Sequence, residues 1–179
     1  MKKLKKVALG IGLMVLVGVV AGFFLPASYR VERSAVMRAN AGAVYAQLNN
    51  FKKWPEWSAW TVERYADMKV SYSGSETGVG AVYTWEGKTS GRGMMRITGA
   101  EPDRWIDYDL DFEQGKYVSR GRLSITPEGD QLKVIWVNEG ELGRNPINRW
   151  VGLMMDSMMG PDFQAGLDKL KGKVELTKL

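Results

Sequence analysis

From Val7 to Leu25 the chain reads VALGIGLMVLVGVVAGFFL without a charged residue, and Lys2, Lys3, Lys5 and Lys6 stand before it. As a helix rising about 1.5 Å per residue, such a run spans nearly 30 Å, the depth of a bilayer core. The apolar part of a cleavable leader is shorter, about 7 to 15 residues, and closes at a small-x-small site. Here the run closes with Phe23, Phe24, Leu25 and Pro26. The pattern predicts an uncleaved transmembrane helix within residues 1–27, its lysines on the cytoplasmic side. The chain would then be a single-pass protein of the inner (cell) membrane, with residues 28–179 forming one periplasmic or otherwise extracytoplasmic domain.

Beyond Pro26 the hydrophobic pattern changes period. Residues 29–38 alternate as a strand, and Asn40 offers an N-cap to a helix carrying Val44, Tyr45 and Leu48. A tryptophan-rich segment, Phe51 to Trp60, reads as a second brief helix broken near Pro55. Strand-like runs follow at 68–73, 79–86, 92–100, 104–113, 117–126 and 131–141, separated by glycine-containing turns. Gln114 and Gly115 form a plausible two-residue hairpin turn. That register sets Phe112 opposite Tyr117, Tyr108 opposite Gly121 and Ile106 opposite Leu123 on one face. On the other face Asp109 meets Arg120 and Asp107 meets Arg122. Asp107, Asp109 and Asp111 are therefore read as a salt-bridged outer face and not as a metal-binding or acid/base cluster.

From Asn145 to Lys173 the apolar residues Ile147, Trp150, Val151, Met154, Met158, Phe163, Leu167 and Leu170 recur at helical spacing, predicting a long C-terminal helix with one face on the core. Pro161 should kink or divide it. Gly166 would permit close approach to the sheet. The order of elements is an α+β arrangement: a curved antiparallel sheet of six or seven strands burying one face against one long helix.

Charge and composition exclude more than they add. The net charge is +5, yet residues 7–179 hold 21 basic against 20 acidic side chains. A nucleic-acid surface needs a cationic stripe on the folded part, and this pattern gives none. The chain has no cysteine and no histidine. Cys/His and Ser/His/Asp catalysis, disulfides, and His- or Cys-based metal sites are thereby ruled out, and neither a metal nor a cofactor is expected.

The segments WPEWSAW at 54–60, GVGAVYTWEG at 78–87, GRGMMRIT at 91–98 and DFQAGLDKLK at 162–171, in that order and spacing, carry a resemblance over residues 30–175. The chain resembles the START-like (SRPBCC) superfamily of polyketide cyclase/dehydrase type, with the helix-grip fold. The resemblance implies a hydrophobic cavity between sheet and C-terminal helix that accepts lipids, sterols, polyketides or other apolar molecules. It implies no single reaction and transfers no catalytic set.

Strand alternation places Tyr83 with Trp85, Tyr108 with Leu110 and Phe112, and Val134 with Trp136 on shared faces. These positions, with Tyr117, would line the interior, where core packing competes with ligand contact as their role. Met94, Met95, Met154, Met155, Met158 and Met159 would supply an adaptable apolar wall, with Met94, Met154 and Met158 as candidate contacts. Trp54, Trp57 and Trp60, at spacing three, read chiefly as a structural plug beside the cavity mouth, as in the family, with a ligand gate as the sharper alternative. Asn138 and Ser119 could orient a ligand through polar groups. The leading reading is a membrane-tethered, non-catalytic domain that binds a hydrophobic small molecule or lipid. Two others stay open: a cyclase-, dehydratase- or hydrolase-like enzyme using cavity Tyr, Asp or Glu, and a non-catalytic envelope interaction module with a merely packed core.

Overall fold

A computed structural model describes residues 2–176, the side chains of residues 2–5, 8 and 176 excepted. Helix α1 (Lys2–Gly22) precedes strand β1 (Ser28–Met37), helix α2 (Ala41–Leu48) and a short 3-10 helix (Phe51–Glu56). Then come β2 (Lys69–Gly74), β3 (Ala81–Gly87), β4 (Gly91–Glu101), β5 (Trp105–Phe112), β6 (Tyr117–Glu128) and β7 (Gln131–Glu141). Helices α3 (Pro146–Gly152) and α4 (Met155–Leu176) close the chain. The strands form one antiparallel sheet in the order β1-β7-β6-β5-β4-β3-β2. This is the α+β arrangement that the pattern predicts, with the helix-grip order that the resemblance implies. Its strands alternate one buried face with one wet face, clearest in β6, where Ser119, Gly121, Leu123 and Ile125 are buried and their neighbours are not.

Local chemistry accounts for the ends of the elements. The Asn40 side chain accepts from the Gly42 amide at 2.8 Å and starts α2. The Asn145 side chain does the same for α3, with Pro146 in the first turn. In β4 the register slips between Ile97 and Gly99, a bulge that bends the strand and adds curvature to the sheet.

The β5–β6 register is as expected, from Phe112↔Tyr117 through Ile106↔Leu123. Arg122 forks onto Asp107 at 2.5 and 2.6 Å on the outer face. Pairing stops at Phe112 and Tyr117, so the turn has four residues and not two. Glu113, Gln114 and Gly115 all take positive φ, and the Gly115 amide donates to Asp111.

Three other expectations are corrected. Among the described residues no helix is long and apolar enough to cross a membrane. Helical geometry stops at Gly22, where the amides of Phe23, Phe24 and Leu25 turn back to the carbonyls of Val20, Ala21 and Gly22. The run Val7–Leu25 is therefore not one continuous helix, and its helical part from Val7 rises about 24 Å. The side chains of Lys2, Lys3 and Lys5 lie outside the described residues. Second, the C-terminal helix divides at Leu153–Met154 and not at Pro161, which sits within α4. Third, the stripe Ile147, Trp150, Val151, Met154 and Met158 does not face the core. All five are exposed, while Met155, Met159, Phe163, Leu167 and Leu170 pack inward. The break between α3 and α4 lets the apolar stripe before it face away from the sheet.

An unforeseen ion pair holds α4 to β1. Arg33, on the inner side of β1, forks onto the Asp156 carboxylate at 2.7 and 2.9 Å. Its guanidinium passes where a side chain at Gly160 would stand. The arginine holds the Asp156 carboxyl below its usual range.

Candidate functional site

The interior has two zones, and the first is full. Trp57 is fully buried and Trp54 nearly so, with ring centroids 4.9 Å apart. Trp136 of β7 stacks flat on Phe163 of α4 at 4.2 Å and meets Trp54, Trp57 and Trp60 edge-on. The Trp54 indole donates to the Leu48 carbonyl at 2.9 Å, tying the 3-10 helix to α2. Gly166 brings α4 close to Trp136, as expected from its lack of a side chain. Between the sheet and this part of α4 the rings interlock, which makes the three tryptophans a plug.

The second zone lies toward the sheet end where β1 begins, β7 ends and β5 turns into β6. Here five aromatic rings run across the inner face: Tyr72, Tyr83, Trp85, Phe112 and Tyr117. Successive centroids lie 5.5 to 6.3 Å apart, with Tyr83–Trp85 and Trp85–Phe112 stacked. Trp85 and Phe112 are half-buried, and Tyr72 and Tyr117 are 37% and 50% exposed. Glycine makes the floor possible. A Cβ at Gly93 would lie 2.2 Å from the Trp85 ring, and one at Gly140 would lie 2.5 Å from Tyr29.

Polar groups border this floor. The Tyr29 hydroxyl donates to the Asn138 side-chain carbonyl at 3.0 Å, and the Asn138 amide donates to the Ser119 hydroxyl at 3.2 Å. One row deeper, the Trp136 indole donates to the Tyr108 hydroxyl at 2.9 Å. Asn138 and Ser119 are buried, so these bonds replace water that the groups lost on folding. The Trp57 indole N–H is buried with no hydrogen-bond partner.

Burial pushes the Tyr108 phenol up to about 12 and, aided by Tyr72, Tyr83 likewise to about 12. Both are neutral near pH 7, able to donate a hydrogen bond but not to act as bases. The folded state holds these protons more tightly than the unfolded chain, whose phenols titrate near 10.0. The associated stability is complete below pH of about 10 and is lost as pH rises through about 12. The urea midpoint should stay level from about pH 7 to 9 and fall between about 10 and 12. Y83F should flatten part of that fall, and an equal fall in both proteins would contradict the assignment.

Of the residues singled out in the sequence, Trp54, Trp57, Trp60, Tyr83, Trp85, Tyr108, Leu110, Phe112, Tyr117, Trp136, Asn138 and Ser119 all lie on the inner side. Three do not. Met94 pairs with Thr84 and Asp111 on the outer face, because the neighbouring strands put Met95 inward. Met154 and Met158 are exposed, 56% and 59%, one position out of phase with Met155 and Met159. Tyr29 and Tyr72 were missed as site residues. Strand alternation could have placed each inward, but only the sheet order joins them to one row.

Among the described residues no group of three His, Cys, Asp or Glu could hold a metal, and the buried polar side chains are Ser58, Thr61, Ser119 and Asn138. None is a carboxylate, and the titratable groups of the described core are the phenols of Tyr83 and Tyr108. An open depression of about 390 Å³ lies chiefly on the outer face of β2–β5, against Ser71, Thr84, Glu86, Arg92, Met94 and Asp111. Another, of about 150 Å³, lies beside Phe51 and Tyr72. Neither lies between sheet and α4, where the expected hollow is occupied by the tryptophan plug.

The family model described as polyketide cyclase / dehydrase and lipid transport matches residues 28–175. The chain belongs to that family. No curated protein matches it in sequence. Among solved structures it is similar to the di-domain ARO/CYC StfQ from the steffimycin biosynthetic pathway, at TM-score 0.65 and 11% identity, over 84% of this chain and 52% of that one. It is also similar to a truncated norcoclaurine synthase from Thalictrum flavum, at TM-score 0.60 and 12% identity, over 82% and 93%. A third is the Aha1 dimer from Colwellia psychrerythraea, at TM-score 0.56 and 13% identity, over 84% and 98%. At these identities the likeness is one of fold. The membership explains why the helix-grip core of this family member starts at β1 and leaves α1 outside the matched region.

Proposed function

We propose that this family member binds a hydrophobic small molecule or lipid without transforming it. The ligand lies on the aromatic floor, with its polar end near Tyr29, Asn138 and Ser119. The observation that carries the reading is the half-open row Tyr72–Tyr83–Trp85–Phe112–Tyr117 beside a small buried polar cluster, an apolar surface with a few convergent polar groups. The lack of a carboxylate among the buried described side chains favours binding over catalysis.

The same reading includes a membrane tether. Along α1, Val7, Leu9, Ile11, Leu13, Met14 and Val17 are exposed by 59% or more, pointing to successive faces of the helix. A helix apolar all round is stable where lipid surrounds it. Lys6, exposed on the first turns of α1, would lie at the headgroup level, where an ammonium group meets anionic phosphates.

The test uses the full chain in nanodiscs and a fluorescent fatty acid as probe. Uptake should be saturable, and F112A or W85A should weaken it about tenfold, the loss expected for about 1.4 kcal/mol of apolar contact. D109N on the outer face should leave it unchanged. No uptake, or equal uptake by all variants, would overturn the proposal.

A further inference from the structure

Helices α3 and α4 expose an apolar surface that packing of the domain does not use. Ile147, Trp150, Val151, Leu153, Met154 and Met158 are between 43% and 62% exposed. They cluster on two consecutive turns and the break between α3 and α4, whereas single exposed apolar residues would call for no explanation. This surface is continuous with α1. The Trp150 indole donates to the Gly18 carbonyl at 2.9 Å, and Arg149 donates to the carbonyls of Phe23 and Leu25 at 2.7 and 3.1 Å. Pro146 and Trp150 pack so closely on Gly22 that a Cβ there would clash with the Pro146 backbone.

We infer that the α3–α4 surface is a bilayer-docking platform, which lays the domain on the membrane that α1 enters. The inference rests on the tether proposed above and adds which face of the domain meets the lipid. A bilayer covers both apolar surfaces at once, since α1 leaves the domain from the edge of the platform. A tryptophan bonded to the last turns of such a helix, with Arg149 bonded to the carbonyls just beyond it, matches the chemistry of the headgroup level. There indole rings and guanidinium groups are favoured and anionic phosphates attract cations.

Docking this face has a consequence for the aromatic floor. The sheet end where β1 begins and β7 passes into α3 is the end that carries Tyr117, Phe112 and Trp85. The floor therefore lies at the end of the sheet from which α1 and α3 leave.

The chain has no cysteine, so single-cysteine variants can each carry one environment-sensitive fluorophore. Full-length L153C, M158C, L13C and D130C would be reconstituted at low density in vesicles of phosphatidylethanolamine and phosphatidylglycerol. Each would be probed with a lipid-borne and a water-soluble quencher. Asp130 sits in the β6–β7 turn at the opposite end of the sheet. The expected result is that lipid-borne quencher lowers emission about twofold or more at positions 153, 158 and 13 and not at 130. If position 13 is in lipid while 153 and 158 are as wet as 130, the platform is overturned and the tether stands. If 153 and 158 are shielded from water but unreached by the lipid quencher, a second protein surface covers them and the platform is again overturned. If position 13 itself lies in water, the tether fails and the platform fails with it.

Discussion

W136A will lower the stability of the domain by about 3 to 5 kcal/mol, the range for removing a large aromatic ring from a packed core. The position earns the upper part of that range by what it touches. Its ring is 1% exposed, lies parallel to Phe163 at 4.2 Å, and is met edge-on by Trp54, Trp57 and Trp60. Alanine would leave a void walled by rigid rings that cannot relax inward, and would strip the Tyr108 hydroxyl of its indole donor. W136F would keep most of the stacking and lose the hydrogen bond, so it should cost about 1 to 2 kcal/mol. Urea unfolding followed by far-ultraviolet circular dichroism gives both values. A loss under about 1 kcal/mol for W136A would show that the plug is not the centre of the core.

G121A should cost about 3 kcal/mol, from the opposite cause. A Cβ at this position would stand 1.9 Å from the Tyr108 ring, far inside contact distance. Tyr108 is 2% exposed, faces Trp54 edge-on at 5.8 Å and is held through its hydroxyl, so the ring has nowhere to go. A second substitution decides the mechanism. If the clash is the cause, Y108L should absorb part of the penalty, and the double variant should be more stable than the sum of the two single losses allows. Strict additivity would mean that Gly121 serves something other than this ring.

The pairing of β5 with β6 was legible because it is local. Alternation in two adjacent strands, with arginines set against aspartates, admits one register that buries one face. That register alone sets Tyr108 opposite Gly121. The site was legible only strand by strand. Met94 and Met95 are both apolar, and β4 read alone gives no reason to turn one outward; pairing with Tyr83 and Leu110 makes the choice. The same limit applied to Met154 and Met158. Their spacing continues from Ile147 and Val151 as a perfect helical stripe, and periodicity cannot distinguish a stripe that meets a core from one that meets another environment.

The run of strands, the cap at Asn40, the class of fold and the lack of histidine and cysteine followed from residue order, because each is read from composition or from neighbours within a few positions. Tertiary structure decided the rest: that tryptophans from the 3-10 helix and β7 close the expected hollow, that Tyr29 and Tyr72 belong to one inner row, and that Arg33 ties β1 to α4. Such contacts join positions far apart in the chain. The hydrophobic effect that drives them rewards buried area without naming the partner, so only the packed chain shows which surfaces meet.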